Sequence, residues 1–295
     1  MNRELAAHIA GQLGWNEAEP DFRPVGGGDI AAAWTLTAGR QHAFIKTLST
    51  TQADIFQAEA DGLQALDESR IVRTPQVLAH GIDHDFAWLA LEHLDLQPLS
   101  TRSQRHLGQS LARLHRQTSD RFGWRRDNYI GLSAQLNQPG ADWSEFFLNQ
   151  RLGRQLDWLA ERTGQDQWSA YKEPLAQAWQ QQFPDHQPPP SLIHGDLWQG
   201  NAAMLDDHQP VIYDPAVHYA DRECDLAMTR LFGGFSEEFY QAYQAEWPLS
   251  ASHQQRLPWY QLYHLLNHAV LFGGGYVGRV REEIGLRIEG SGVRD

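Results

Sequence analysis

The polar residues best suited to chemistry lie in one short stretch of the chain. An apolar run ends in His-Gly-Asp, whose last residue is Asp196; Asn201 follows five residues later and Asp214 thirteen residues after that. A polar turn at residues 206–210 predicts a hairpin that brings Asp214 back beside Asp196. Kinase catalytic loops have the same Asp-to-Asn interval, with the Asp taking the hydroxyl proton. The spacing therefore predicts phosphoryl transfer, with Asp196 as base and Asn201 and Asp214 as Mg²⁺ ligands; ordinary turn-capping residues are the alternative.

Phosphoryl transfer also needs a cation for the phosphates of the nucleotide and an acid to hold that cation. Among the 24 basic residues only Lys46 and Lys172 are lysine, and Lys46 lies in a strand-like apolar run. Glu59 lies in the helix-like segment that follows. We expect Lys46 and Glu59 to form the pair that anchors the phosphates. The alternative is a surface lysine and a glutamate on a solvated helix face.

Two further segments fit nucleotide binding. Gly26, Gly27 and Gly28 precede the first strand and could let backbone amides approach a phosphate, although they do not match a Walker loop. Glu92 and Leu94 end the last strand of this part of the chain, and in a kinase their backbone would pair with adenine. An ordinary strand end is the alternative for Glu92 and Leu94.

The segments around these residues differ in character along the chain. Before residue 95, strands are expected at 33–36, 41–47 and 86–92, and a helix with a Ser/Thr run suited to capping at 51–69. After a linker at 95–99, helices are expected at 103–118, 143–163, 168–183, 225–232, 237–246 and 256–271, with a strand-rich insert at 191–214. The predicted fold class is therefore α+β and bilobal, with a small sheet-rich lobe over 1–95 and a larger helical lobe over 96–295.

Composition excludes several classes of partner. With 24 Lys plus Arg against 37 Asp plus Glu, the formal charge of −13 argues against nucleic acid and anionic membranes. The first 15 residues lack the apolar core of a secretory signal, and residues 262–272 are too short and polar for a membrane helix. The single cysteine, Cys224, excludes an intramolecular disulfide. These features predict a cytoplasmic protein, and Cys224 is expected to be an inert small residue.

Three other polar residues have open roles. Asp225 opens a predicted helix, so it could cap the helix, accept hydrogen bonds from amides of the catalytic loop, or do both. His264 and His268 are four residues apart and could hold zinc, but no acid lies between them. We favour a structural or substrate-facing role for both histidines.

At these motifs the chain resembles the fructosamine kinase (ketosamine kinase) family, relatives of aminoglycoside and choline kinases within the protein-kinase-like fold. The resemblance covers most of the chain. The segments that carry it are 194–201 (HGDLWQGN), 213–216 (YDPA), 221–228 (DRECDLAM), 231–235 (LFGGF), 262–268 (LYHLLNH) and 272–276 (FGGGY). The wider group of kinases shares His-Gly-Asp with the downstream Asn and Asp. The resemblance is narrowed to the fructosamine kinase family by three features: the Trp after Asp-Leu, the Asp-Pro-Ala and the Phe-Gly-Gly.

The resemblance implies ATP-dependent phosphorylation of the 3-hydroxyl of a ketosamine, a fructosamine or ribulosamine that is free or attached to protein. That step makes the sugar adduct labile and so repairs glycation. It also implies that Trp198 is a wall for the sugar. Separately from the resemblance, we expect His268 to face the substrate, and His194 and Asp225 to support the catalytic loop. Gln135 and Asn137 loosely match a substrate-side loop of the family.

Two other functions remain open at this point. A related kinase could act on an aminoglycoside, choline or an amino alcohol, since an acidic chain suits any cationic substrate. The third hypothesis is an inactive kinase-like binding module. It is disfavoured because Lys46, Glu59, Asp196, Asn201 and Asp214 are all present.

Overall fold

The N-terminal part of the chain forms an antiparallel sheet flanked by two helices. The computed structural model describes residues 2–16, 18–26, 31–83 and 85–290. The elements of this part are α1 (Arg3–Gln12), β1 (Asp21–Val25), β2 (Ala32–Ala38), β3 (Gln41–Ser49), α2 (Ala53–Glu68), β4 (Val77–Asp83) and β5 (Phe86–Glu92). The strand order is β1-β2-β3-β5-β4, and a 3₁₀ turn (Thr50–Gln52) leads into α2.

The alternation of side chains across β3 explains where the helices pack. Ala43 and Ile45 point to the face covered by α1, where they join Trp88 and Ala90 of β5. Leu48 points to the opposite face and packs with residues of α2 and with Leu89 and Leu91 of β5. Because successive side chains alternate, Lys46 lies on the α2 face of the sheet.

The rest of the chain is mainly helical. Its helices are α3 (Thr101–Leu114), α4 (Trp143–Phe146), α5 (Arg154–Thr163), α6 (Gln167–Ala170), α7 (Lys172–Gln182), α8 (Glu223–Leu231), α9 (Glu237–Glu246), α10 (His253–Phe272) and α11 (Gly275–Gly290). Its short strands are β6 (Asn128–Ile130), β7 (Ser133–Gln135), β8 (Ser191–Ile193), β9 (Ala202–Met204), β10 (Pro210–Ile212) and β11 (His218–Ala220). They pair as β6–β7, β8–β11 and β9–β10. Its core is rich in buried aromatic rings, among them Trp143, Trp168, Trp179 and Trp259.

Most of the expected elements are present, with three local differences. The helix expected at 143–163 is α4 and α5 joined by a π-helical segment (Phe147–Gly153). The helix expected at 168–183 is divided at Tyr171 into α6 and α7. The Ser/Thr run before α2 provides no side-chain cap, because Gln52 takes the N-cap position.

The sequence patterns did not indicate α1, β1 or β4. The strand β1 is an edge strand that is mostly exposed and contains Pro24, so it lacks the apolar pattern of a buried strand. Residues 93–100 have no helix or strand, and the lobe boundary at residue 95 stays a prediction. Helix α11 continues to Gly290 and buries Val280 and Ile284. Within the described residues, no helix has the length and apolar character needed to cross a membrane.

Candidate active site

A cleft of about 630 Å³ lies between the sheet and the helical part of the chain. The sheet side contributes Lys46 from β3 and Glu59 from α2. The helical side contributes Asp196, Asn201 and Asp214. The five residues identified from their spacing therefore line one cavity, and they come from two regions more than 100 residues apart in the chain.

Lys46 is the charged centre of this cleft. Its Nζ donates to Glu59 Oε1 at 2.7 Å and to Asp214 Oδ1 at 2.6 Å. Burial by itself would lower the pKa of Lys46, but the carboxylates of Asp214 and Glu59 outweigh burial and raise that pKa above its usual value. Lys46 is therefore a permanent cation that links the sheet to the segment after β10.

Asp196 lies half-buried at the base of the cleft. Burial raises the pKa of Asp196 to about 7, helped by the negative charges of Asp214 and Asp225 and opposed by a hydrogen bond from Asn201. Asn201 Nδ2 donates to the Asp196 carbonyl oxygen at 2.9 Å and to Asp196 Oδ2 at 3.3 Å. The side-chain nitrogen of Asn201 is thus hydrogen-bonded within the loop, and the side-chain oxygen, Oδ1, is the atom left for a cation.

Asp214 has an uncommon backbone conformation, with φ of 58°. This left-handed region is unfavourable for most side chains, although Asp tolerates it better than most. The flanking segment is held by hydrogen bonds from the Tyr213 amide to the Asn201 carbonyl at 3.1 Å and from the Ala216 amide to the His194 carbonyl at 2.9 Å. The strain is therefore maintained by neighbours, and the Asp214 side chain stays 42% exposed in the cleft.

His194 ties the two arms of this loop together. Its Nδ1 accepts from the Asp196 amide at 3.3 Å, and its Nε2 donates to the Tyr213 carbonyl at 3.0 Å. Burial lowers the pKa of His194, so the ring is neutral, as this pair of hydrogen bonds requires. Gly195, at φ of 85°, allows the close approach, because a Cβ there would lie 2.2 Å from the Ala216 carbonyl oxygen.

Asp225 holds the start of the catalytic loop through the backbone amides of that loop. Its carboxylate accepts from the amides of His194 and Gly195, each at 2.8 Å. Burial alone would raise the pKa of Asp225, but the hydrogen bond and charge of His115 outweigh it and lower that pKa. Asp225 is the third residue of α8 and Arg222 takes the N-cap position, so the helix-capping hypothesis is wrong and the hydrogen bonds expected from the loop amides are present.

His115 and Tyr243 extend this support and were missed in the sequence. His115 Nε2 lies 3.1 Å from Asp225 Oδ2, and His115 Nδ1 lies 2.8 Å from the Tyr243 hydroxyl. Both side chains are almost fully buried. His115 directly follows the last residue of α3 and lies 110 positions from Asp225, so no interval pattern connects the two. A histidine near the end of a predicted amphipathic helix was the one available indication.

The nucleotide-side segments are partly described. Gly26, Glu92 and Leu94 line the cleft, whereas Gly27 and Gly28 lie outside the described residues. The Glu92 carboxylate faces Arg73, with which it forms a salt bridge. The Glu92 amide donates to the Gln76 carbonyl at 2.8 Å. The Glu92 amide is thus already hydrogen-bonded within the protein.

Of the two residues expected to face the substrate, Trp198 is among the residues that line the cleft and His268 is not. Trp198 is 36% exposed and lines the cleft mouth. Phe232 lies between Trp198 and His268, with ring centroids 6.5 Å from the first and 4.9 Å from the second. His268 is therefore connected to the cleft through Phe232. The sequence indicated Phe232 only as part of the Phe-Gly-Gly segment.

The zinc alternative for the two histidines finds no support in their geometry. His268 Nδ1 donates to the His264 carbonyl at 2.8 Å. Burial, followed by the proximity of His268, lowers the pKa of His264 to about 3. Within the described ranges, the one metal-compatible cluster is His186, Asp221 and Glu223, which includes neither of these histidines.

Two other residues proved to be structural. Gln135 Nε2 donates to the Ala216 carbonyl at 3.2 Å and to Asn128 Oδ1 at 2.8 Å. Asn137 Nδ2 donates to the same Asn128 oxygen at 2.8 Å. Both side chains are buried, so the expected substrate-side role of Gln135 and Asn137 is wrong. Gln135 braces the segment after Asp214, and Asn137 is hydrogen-bonded to Asn128 and Arg151. Burial also raises the pKa of the Cys224 thiol, which agrees with an inert residue.

The fold and the residues in the cleft define a protein-kinase-like phosphotransferase with an alcohol acceptor. The choline kinase LicA from Streptococcus pneumoniae superposes with a TM-score of 0.64 at 11% identity, covering 97% of this chain and 99% of its own. An aminoglycoside phosphotransferase superposes with a TM-score of 0.64 at 13% identity, covering 98% and 99%. At these identities the likeness shows the fold alone, and it confirms the predicted bilobal α+β class.

Closer relatives give the family. A model described as fructosamine kinase matches residues 1–288. A protein named Probable ketoamine kinase from Synechocystis sp. is 42% identical over 273 residues, which cover 91% of this chain and 92% of that protein. A protein of the same name from Escherichia coli K12 is 41% identical over 282 residues, which cover 94% of this chain and 96% of that protein. Crystal structures named for fructosamine-3-kinases, from Haemophilus somnus and Thermobifida fusca, superpose with TM-scores of 0.86 and 0.84 at 27% and 29% identity. They cover 96% and 98% of this chain and 96% and 100% of theirs. The chain belongs to the fructosamine kinase family.

Proposed function

We propose that this kinase transfers the γ-phosphoryl group of ATP to the 3-hydroxyl of a ketosamine, a fructosamine or ribulosamine that is free or attached to protein. The observation that carries the proposal is the convergence of Lys46, Asp196 and Asp214 in one cleft, with Lys46 Nζ 2.6 Å from Asp214 Oδ1. Phosphorylation makes the adduct labile, so the reaction serves deglycation.

Lys46 binds the phosphates of the nucleotide in this proposal. It is held by Glu59 on one side and remains charged, so it presents a fixed positive charge to an anionic ligand. The carbonyl of Glu92 and the backbone of Leu94, at the far end of the sheet side, pair with adenine. The glycines that begin at Gly26 cover the phosphates.

The donor set between the two arms of the loop fits Mg²⁺. Asp214 contributes a partly exposed carboxylate, and Asn201 contributes an amide oxygen that the loop does not use. Hard oxygen ligands of this kind suit Mg²⁺, which also binds phosphate oxygens. When bound, the ion supplies positive charge that neutralises the transferred phosphoryl group.

Asp196 is the base. Its pKa of about 7 leaves a substantial fraction of the carboxylate ionised at neutral pH and makes it a better proton acceptor than an ordinary aspartate. As the bond from the acceptor oxygen to phosphorus forms, the bond from phosphorus to the leaving ADP breaks and the hydroxyl proton passes to Asp196. His194 and Asp225 keep the Asp196 backbone in place during this step. On the acceptor side, Trp198 is a wall for the sugar and His268 faces the substrate.

The proposal is tested by turnover with Mg-ATP against a panel of acceptors. The panel contains free and protein-bound ribulosamine and fructosamine, choline, and two aminoglycosides, and ADP release is followed for each. We expect turnover with at least one ketosamine. With choline and the aminoglycosides, we expect ADP release close to the rate of ATP hydrolysis measured without an acceptor. Turnover confined to choline or an aminoglycoside would overturn the substrate while leaving the kinase assignment in place.

A further inference from the structure

Five aromatic side chains form a continuous row that begins at the catalytic loop. We call this row the aromatic shelf; its members are Trp198, Phe232, His268, Phe272 and Tyr276. Neighbouring ring centroids lie 6.5 Å apart for Trp198 and Phe232 and 4.9 Å apart for Phe232 and His268. His268 lies 5.6 Å from Phe272 and 5.0 Å from Tyr276. The shelf therefore extends from the residue two places after Asp196 to the turn between α10 and α11.

Two glycines fix the inner end of the shelf against the catalytic loop. A Cβ on Gly200 would lie 2.2 Å from the Trp198 ring, so the ring lies directly over this glycine. Gly234, at φ of 105°, packs so closely on Gln199 that a Cβ there would lie 2.2 Å from the Gln199 side chain. The Phe232 loop and the Trp198 ring are thus both positioned by the loop that carries Asp196.

The shelf is apolar, uncharged and open to solvent. Phe232 is 40% exposed and Phe272 is 52% exposed, although both are large apolar residues. Burial lowers the pKa of His268, so this ring is neutral at physiological pH. Contiguous exposed aromatic surface at the mouth of a reaction cleft is typical of a ligand-binding surface.

We propose that the aromatic shelf binds the amine part of the ketosamine and selects amines that carry an apolar or aromatic group. This inference rests on the proposed function. The ketosamine nitrogen is three bonds from C3, so when the 3-hydroxyl is at Asp196 and the sugar is against Trp198, the nitrogen leaves the sugar close to the reaction centre. The ring that follows Trp198 along the molecular surface is Phe232.

The chemistry of the shelf matches such a group. A ketosamine nitrogen is a protonated amine at neutral pH, and aromatic faces such as those of Trp198 and Phe232 attract cations. Beyond them, Phe272 and Tyr276 offer apolar area to the substituent on the nitrogen.

The outer end of the shelf disfavours a second positive charge. The Arg162 guanidinium lies 3.7 Å from where a Cβ on Gly273 would be, in the turn next to Phe272. It donates to the Val270 carbonyl at the end of α10. A substituent carrying a further cation would meet this charge, whereas an apolar substituent would not.

The test compares two ketosamines of the same sugar, one made from phenethylamine and one from ethanolamine. For the wild-type enzyme we expect kcat/KM to favour the phenethylamine adduct about tenfold, since a phenyl group buried on the shelf replaces a hydrated hydroxyl. In the double variant Phe272→Ala/Tyr276→Ala this ratio should fall to about twofold or less. The ratio is unaffected by the fraction of folded enzyme, so a partly unfolded variant does not distort it.

A matched control is Phe86→Ala, which removes a phenylalanine that is 39% exposed at the start of β5 and does not line the cleft. This control should keep the wild-type ratio. Equal kcat/KM for the two adducts in the wild-type enzyme, or an undiminished ratio in the double variant, would overturn the inference alone. Absence of turnover with every ketosamine would overturn the proposed function and the inference with it.

Discussion

The catalytic cleft and the aromatic shelf beside it are built by opposite rules. In the proposed reaction they are the phosphate side and the acceptor side. On the phosphate side, Lys46 contacts Glu59 and Asp214, Asn201 contacts Asp196, and each contact is a hydrogen bond or ion pair of 3.3 Å or less. On the acceptor side, the aromatic shelf is uncharged and exposed, and the contacts from ring to ring are 4.9 Å or longer between centroids.

The difference follows from what each side has to do. Charges inside a cleft are costly unless they are paired, so the phosphate side fixes its residues tightly before a ligand arrives. An apolar surface contributes binding free energy when a ligand covers its exposed area. We therefore expect changes on the phosphate side to alter kcat by large factors, and changes on the shelf to alter discrimination between acceptors by small ones.

The largest effect is expected for Asp196→Asn. Removing the base should lower kcat about 10³-fold, within the usual range for general base catalysis. Nucleotide affinity, measured by calorimetry with a non-hydrolysable ATP analogue, should change by no more than about threefold. The control Asp95→Asn alters a carboxylate that is 96% exposed and should keep wild-type turnover. Retained turnover in Asp196→Asn would remove Asp196 from the mechanism.

A smaller effect is expected for His115→Phe. This change takes one hydrogen-bond donor from Asp225, which positions the amides of His194 and Gly195. We expect kcat to fall about tenfold, since a buried hydrogen bond to a charged group contributes about 1.5–3 kcal/mol, and KM for the ketosamine to stay close to wild type.

The conservative variant His115→Gln separates positioning from folding. Its amide nitrogen can reach the place of Nε2, so it should recover most of the lost kcat. Equal losses in the Phe and Gln variants, or a loss confined to KM, would contradict a positioning role for His115.

The last prediction concerns stability and not turnover. The folded protein holds the proton of Asp196 up to a pKa of about 7, against 3.8 for an ordinary aspartate, so its contribution to stability falls as pH rises between these values. Asp196→Asn removes this loss, and its free energy of unfolding relative to wild type should increase by about 4 kcal/mol from pH 4 to pH 8. Urea titrations at the two pH values measure it. A relative stability that is constant or decreases with pH would show that the Asp196 pKa is not raised.

The comparison also explains what could be predicted from the sequence. Asp196, Asn201 and Asp214 lie on one loop and hairpin, so their intervals along the chain carry the geometry of the site. Lys46 stood out because lysine is rare in this chain. The strands 41–47 and 86–92 were predicted because apolar residues recur along each of them.

Other features left no such pattern. His115 reaches Asp225 from a segment 110 residues away, and only tertiary packing brings the two together. The exposed edge strand β1 lacks an apolar repeat. Phe272 and Tyr276 read as ordinary apolar residues near helix ends, because exposure depends on which neighbours pack there. Trp198 was singled out through the family resemblance alone.

The most direct test of the central claim is the position of the phosphate in the product. The wild-type enzyme is incubated with Mg-ATP and a fructosamine, and the phosphorus NMR coupling of the product identifies the carbon that carries the phosphate. The account predicts a single phosphate on O3 of the ketosamine, formed in equal amount with ADP. A phosphate on another hydroxyl, or ADP released without a phosphorylated ketosamine, would contradict it.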